Sequence, residues 1–262
     1  MPPDASSAHS PSLAPAAASR PAASAPLNRS RWVKETRFGH WFLGTNVWSR
    51  YVVEVAIRDL AALLPPPARP PRLILDAGSG PGVALPLLDR FFQPESLLAI
   101  DIDPQEVARS RTQAGRCRCP VEVRHGDATR LDLADGSVDL VLCHQLLHHL
   151  VRQEEALREF YRVLAPGGIL LVAESCREFI RSTPVRLLFR HPADVQRTAA
   201  EYQQLVRDAG FSLDAQRVLT STPFWSRPDW GLTRRLGWGK AAGAEPTEVA
   251  FAAFKPRSAA GS

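Results

Sequence analysis

Five short apolar runs divide the middle of the chain: LILDA (73–77), LLAID (97–101), VEVRH (121–125), VDLVLC (138–143) and ILLVAE (169–174). No other feature constrains the fold as tightly. Runs of this length read as strands buried on both faces, and the segments between them repeat apolar residues every three to four positions, which is the helical period. Helices are predicted over 83–92, 104–115, 145–150 and 153–164, the last closed by Pro166 and Gly167-Gly168. Strands alternating with helices give an α/β fold with a doubly wound, mostly parallel sheet. The chain ends differently. A helix over about 193–209 is followed by GFSLDAQRVL and TEVAFAAF (247–254) with no helix between them. These two runs are expected to pair as an antiparallel C-terminal hairpin at the sheet edge, which makes seven strands.

Before the first strand, apolar residues from 46 to 64 keep helical spacing until PPPARPP stops them. The stretch RWVKETRFGHWFLGTNVW carries Trp32, Phe38, Trp41, Phe42 and Trp48, so residues 31–71 read as an aromatic lid and linker. Residues 1–30 are an Ala/Pro/Ser-rich tail without periodicity and are expected to be disordered. They lack the charged start and apolar core of a signal peptide. The main domain is taken as 72–256, with an insert at about 177–195 that carries Arg181, Arg186, Arg190 and His191.

The 262 residues are 45% hydrophobic, enough for a sizeable core. No run reaches the roughly 20 apolar residues that cross a bilayer, and a soluble, cytoplasmic protein is expected. Cys117 and Cys119 form CRC, too tight for a CxxC zinc knuckle, while Cys143 and Cys176 read as buried thiols. The net charge is +5. Between 177 and 240 there are eleven Lys/Arg against six Asp/Glu, a surplus equal to that of the whole chain, in the region that also holds Trp225, Trp230 and Trp238. A basic, aromatic stretch fits an anionic substrate, an acidic membrane surface or RNA, or is simply a solvated face.

LILDAGSGPG (73–82) sends Asp76 into a turn with glycine at 78, 80 and 82. Glycine lets a ligand approach the backbone, and the following helix offers free N–H groups. The spacing is G-x-G-x-G, not the G-x-G-x-x-G of dinucleotide sites, and Asp76 would repel a pyrophosphate but orient an amino-bearing ligand. LLAIDIDP ends the second strand with Asp101, placed to accept ribose hydroxyls, and Ile102, which could cover one face of an adenine. HGDATRLDL ends the third strand with Asp127, where an adenine amino group could be received.

These motifs, with HGDATRLDLADGSVDLVLCHQLLHHL and EFYRVLAPGGILLVAE, resemble the class I S-adenosylmethionine-dependent methyltransferases, specifically the small-molecule, ubiquinone/menaquinone-like "type 11" branch. The resemblance covers about 73–174 and implies S-adenosylmethionine as cofactor. It implies that Gly78, Gly80 and Gly82 pack against the methionine part, that Asp76 orients its amino group, that Asp101 binds ribose, and that Asp127 and Ala128 read the adenine. The backbone near Cys143 and His144 would close over the methionine.

CHQLLHHL places His144 and His148 where the methyl group should emerge, as candidates for a general base. Their i,i+4 spacing could hold a metal, but no third ligand is visible locally, and no metal is expected. Trp41, Trp48, Glu174 and Arg177 are candidates for the acceptor wall. The expected activity is methyl transfer to a small hydrophobic or aromatic acceptor: a quinone, phenol, polyketide or lipid-like molecule. An RNA methyltransferase is the alternative, although no NPPY-type tetrapeptide or Pro-Cys motif is present. A non-methylating S-adenosylmethionine-binding protein is a further one. Peripheral membrane contact is left open, and no obligate protein partner is evident.

Overall fold

The computed structural model describes residues 36–66, 69–192, 194–223 and 245–257. β1 (Leu73–Ala77), β2 (Ser96–Asp101), β3 (Val121–His125), β4 (Val138–His144), β5 (Leu164–Ser175), β6 (Val218–Ser221) and β7 (Glu248–Phe254) form one sheet ordered β3-β2-β1-β4-β5-β7-β6. The first five strands are parallel, and β7 runs antiparallel between β5 and β6. The expected antiparallel edge pair is therefore present, while residues 224–244, which join it and hold Trp225, Trp230 and Trp238, lie outside the described residues. So do Trp32, the 1–30 tail and Ala193.

Alternate strand residues feed two cores, one on each face of the sheet. Leu75, Leu98, Val141 and Val172 point to one core, shared with Phe160 of α6 (Gln153–Val163) and Tyr202 of α9 (Ala199–Asp208). Ile74, Leu97, Leu140 and Leu171 point to the other, shared with Ile57 and Leu60 of α3 (Glu54–Ala62) and Leu85 and Leu88 of α4 (Leu85–Phe92). Each such side chain contributes about 1.5–3 kcal/mol by leaving water. The same burial on both faces makes β1, β2, β4 and β5 legible as apolar runs.

Three elements depart from the sequence reading. The helix expected over 46–64 is broken: α2 (Asn46–Trp48) passes through a π turn (Ser49–Val53) into α3. The helix expected over 145–150 is only a 3-10 turn, Leu147–His149, because Gln145 sits at φ 53° and the next two N–H groups go to a side chain instead of to helical carbonyls. β5 begins at Leu164, ahead of the Gly pair, with a register shift against β4. In the insert, two short helices appear, α7 (Arg177–Ile180) and α8 (Thr183–Leu188), and α9 starts at a capping box of Thr198 and Glu201. No helix among the described residues is long and apolar enough to cross a membrane.

Candidate active site

The carboxyl ends of β1, β2 and β4 open into a cavity of about 820 Å³. At its floor the turn after β1 is tied to β2, since Gly78 and Ser79 both donate their N–H to the Ile100 carbonyl. Asp101 fixes the same turn from the side. Its Oδ2 accepts from Gly80 N at 2.8 Å, and its Oδ1 accepts from Asp103 N at 2.8 Å. α5 (Pro104–Ala114) follows, with Asp103 as its N-cap. Gly80 has φ 51° and a Cβ there would meet nothing within 4 Å, so bare backbone faces open space. Asp76 is 2% exposed, lines the cavity, and its Oδ2 has no hydrogen-bond partner. An unpartnered buried carboxylate oxygen beside a bare glycine turn fits the amino group of an aminoacyl ligand such as S-adenosylmethionine.

Beside this floor lies a narrow recess of about 40 Å³ bounded by Ile100, Asp101, Ile102, Asp127, Ala128 and Leu150. Asp127 Oδ1 is taken by Thr129, from both N–H and hydroxyl, which leaves Oδ2 for an incoming amino group. A base seated there must widen the recess.

Other expected residues fall elsewhere. Gly82 does not face the cavity. A Cβ there would lie 2.6 Å from Ser110 Cα, so the missing side chain lets α5 pack against the turn. Cys143 is fully buried, its thiol pushed well above the ordinary range by burial, and the cavity wall begins one residue later at His144. Glu174 is not acceptor wall. It is 0% exposed, and its Oε1 accepts from Leu146 N at 2.8 Å and Leu147 N at 2.7 Å. Its Oε2 lies 2.6 Å from His148 Nδ1. Arg177 turns away to Glu201 and the Gln196 carbonyl. Trp41 is 63% exposed and outside the lining, whereas Trp48 lines the cavity with its ring 6.0 Å from that of His144.

α1 (Arg37–Leu43), in the stretch expected to form a lid, contacts both sides of the opening. Thr36 donates its hydroxyl to the Leu188 carbonyl at the end of α8. His40 Nδ1 lies 2.6 Å from Glu106 Oε1 on α5. Phe38 and Phe42 pack on Phe189, and Phe42 on Trp48. His40, Glu106, Phe179 and Phe189 were missed from sequence because only tertiary folding brings them to the mouth.

Burial sets the electrostatics. It raises Asp76 to about 7, with the Asp101 charge adding to the effect, and raises Asp101 to about 6 against the pull of its two N–H donors. His144 is pressed to about 4 by burial, and its Nε2 has no partner. It is therefore neutral near pH 7. A cationic ligand favours the ionised carboxylates, so protons must leave as it binds at low pH. Affinity for S-adenosylmethionine is expected to fall by up to about tenfold per pH unit between 7 and 6, and more steeply below 6 where Asp101 also takes a proton. Calorimetric titration between pH 5 and 8 checks this, and a flat profile contradicts it. Because both folded-state values are raised, the free protein loses stability as pH rises from the ordinary carboxylate range towards 7.

A sheet in this order is Rossmann-like, and the acids at the tips of its first two strands with a glycine turn between them fit an aminoacyl nucleoside such as S-adenosylmethionine. Comparison with known proteins agrees. Residues 75–172 match the family described as "Methyltransferase domain". A probable S-adenosylmethionine-dependent methyltransferase of Mycolicibacterium smegmatis is 33% identical over 151 residues, covering 55% of this chain and 53% of that protein. Demethylmenaquinone methyltransferase of Deinococcus radiodurans is 35% identical over 108 residues, 41% of this chain and 44% of that one. The chain spans about half the length, or less, of the curated relatives it matches. A crystal structure of an S-adenosylmethionine-dependent methyltransferase from Aquifex aeolicus superposes with a TM-score of 0.57 at 17% identity, covering 83% of this chain and 97% of that one, which shows the shared fold. The match to the methyltransferase-domain family thus covers residues 75–172, which hold the strands and turns around the cavity floor.

Proposed function

We propose that this chain transfers the methyl group of S-adenosylmethionine to a small, largely apolar acceptor of the quinone, phenol, polyketide or lipid-like kind. The observation that carries the reading is that one cavity is lined both by Asp76, Gly80 and Asp101 and by a wall of Phe42, Trp48, Val185 and Phe189. Its volume is near the upper end of the roughly 300–1,000 Å³ typical of ligand pockets. The likeness to a demethylmenaquinone methyltransferase supports quinones among the first acceptors to try.

Bound S-adenosylmethionine supplies an electrophilic methyl group on a sulfonium. The chain supplies the rest. Asp76 and Asp101 orient the cofactor, and the aromatic wall excludes water and aligns the acceptor. Alignment of this kind can supply about 7–11 kcal/mol. His144, neutral and with an unpartnered buried Nε2, is one group in the wall placed to take a proton from the acceptor, but burial makes it a weak base, so alignment carries most of the rate. The apolar lining does not favour a nucleotide acceptor, and within the basic stretch Arg177 and Arg197 are engaged with Glu201 and Glu154. Tyr51, Val47 and Leu187 are exposed near the lid and α8, which suits a cytoplasmic enzyme meeting an acceptor dissolved in a membrane.

The test is incubation with methyl-labelled S-adenosylmethionine and a panel of such acceptors, with label counted in the organic extract and in added RNA. Label in the extract is expected. Label confined to RNA would reassign the enzyme. His144→Ala is expected to slow turnover by about 10²-fold, the lower end of general-base contributions, with acceptors that must lose a proton, while S-adenosylmethionine affinity is unchanged.

A further inference from the structure

The i,i+4 pair His144 and His148 forms no metal-ligand group among the described residues; folding instead brings His148 and His149 to His191. His148, His149 and His191 meet on the cavity wall, with ring centroids 4.3, 5.0 and 4.8 Å apart. One ligand-capable atom from each lies within 4.8 Å of the others. His148 is buried and the other two are half-buried. Among the described residues, the rings of His149 and His191 touch neighbouring rings but make no hydrogen bond. Three imidazoles that converge on a cavity wall, two of them without a hydrogen-bond partner among the described residues, are a ready set of metal ligands.

His148 carries a second indication. Glu174 is wholly buried, and two backbone N–H groups fix its Oε1, so its Oε2 sits immovably 2.6 Å from His148 Nδ1. A carboxylate accepting from the rear nitrogen is the arrangement that orients a ligating histidine and leaves Nε2 as its basic nitrogen.

We propose that His148, His149 and His191 bind one divalent first-row metal ion, with zinc as the reference, and that the remaining coordination position opens into the cavity. Three imidazoles with one open position is the donor set of a catalytic zinc site. A tetrahedral ion with Zn–N of about 2.0–2.1 Å needs nitrogens about 3.3 Å apart, so the rings must draw together. His191 lies between α8 and α9, outside any helix or strand, and can supply that movement. The open position would polarise an oxygen, nitrogen or sulfur of the acceptor. That consequence rests on the methyl-transfer reading, whereas metal binding does not. With its Nε2 on the metal, His148 leaves His144 as the free base.

The test uses the full chain stripped with chelator. Zn²⁺ is titrated by calorimetry, and Co²⁺ is added as a visible probe of tetrahedral coordination. One equivalent of each is expected, and His191→Ala is expected to weaken Zn²⁺ binding at least about 100-fold. Glu174→Gln, which forces the other tautomer on His148, is expected to weaken it about 10–100-fold. Replacement of both Cys117 and Cys119 by serine should change nothing. Circular dichroism and S-adenosylmethionine titration on each variant establish that it is folded. Folded wild type that takes up no Zn²⁺ would overturn the proposal. So would Zn²⁺ binding that survives His191→Ala, or that is lost only in the cysteine variant. Loss of S-adenosylmethionine binding by the wild type would sink the methyltransferase reading and leave the metal result standing.

Discussion

Replacing Glu174 with alanine is expected to lower the stability of the fold by about 3–5 kcal/mol, read as a fall in the urea midpoint at unchanged slope. The carboxylate receives Leu146 N, Leu147 N and His148 Nδ1 at a position with no access to water. Its removal leaves two backbone N–H groups and an imidazole without partners, each costing about 1–3 kcal/mol, and opens a void at the end of β5. Glu174→Gln should recover most of this loss, because an amide oxygen can still accept both N–H groups. An alanine variant as stable as wild type would mean that the 146–149 turn is held by something else. This turn carries the histidines, so the stability of the fold and the geometry of the site share one side chain.

Asp101→Ala is expected to weaken S-adenosylmethionine binding by 100-fold or more, about 2.8 kcal/mol. Two effects combine. The ribose hydroxyls lose charge-assisted hydrogen bonds worth about 1.5–3 kcal/mol each. The turn after β1 also loses its side anchor, since the same carboxylate holds Gly80 N and Asp103 N. Unfolding should be affected less, because the cores on the two faces of the sheet do not involve this group. Unaltered affinity in a folded variant would remove Asp101 from the cofactor site.

Strands β1, β2, β4 and β5 were legible because burial on both faces leaves little polar alternation to obscure them, and the acids after β1, β2 and β3 fell where their spacing placed them. What could not be read was set by tertiary contacts. Gly82 looks like its two neighbours in sequence, yet only the approach of Ser110 reveals that it serves packing. Glu174 looks like any acid at a strand end, until Gln145 takes positive φ and turns two N–H groups towards it. Trp41 and Trp48 belong to one aromatic cluster in sequence, and the break between α1 and α2 sends one to solvent and the other to the cavity. His191 joins His148 and His149 only through the path of the chain after α8.

The central claim is that the cavity above Asp76 and Asp101 is built for S-adenosylmethionine, and titration calorimetry of the cofactor into folded wild-type protein at pH 8 tests it most directly. The account predicts saturable binding of one equivalent, lost in Asp101→Ala and weakened as pH falls below 7. No binding by wild-type protein whose circular dichroism shows a folded α/β domain would contradict it.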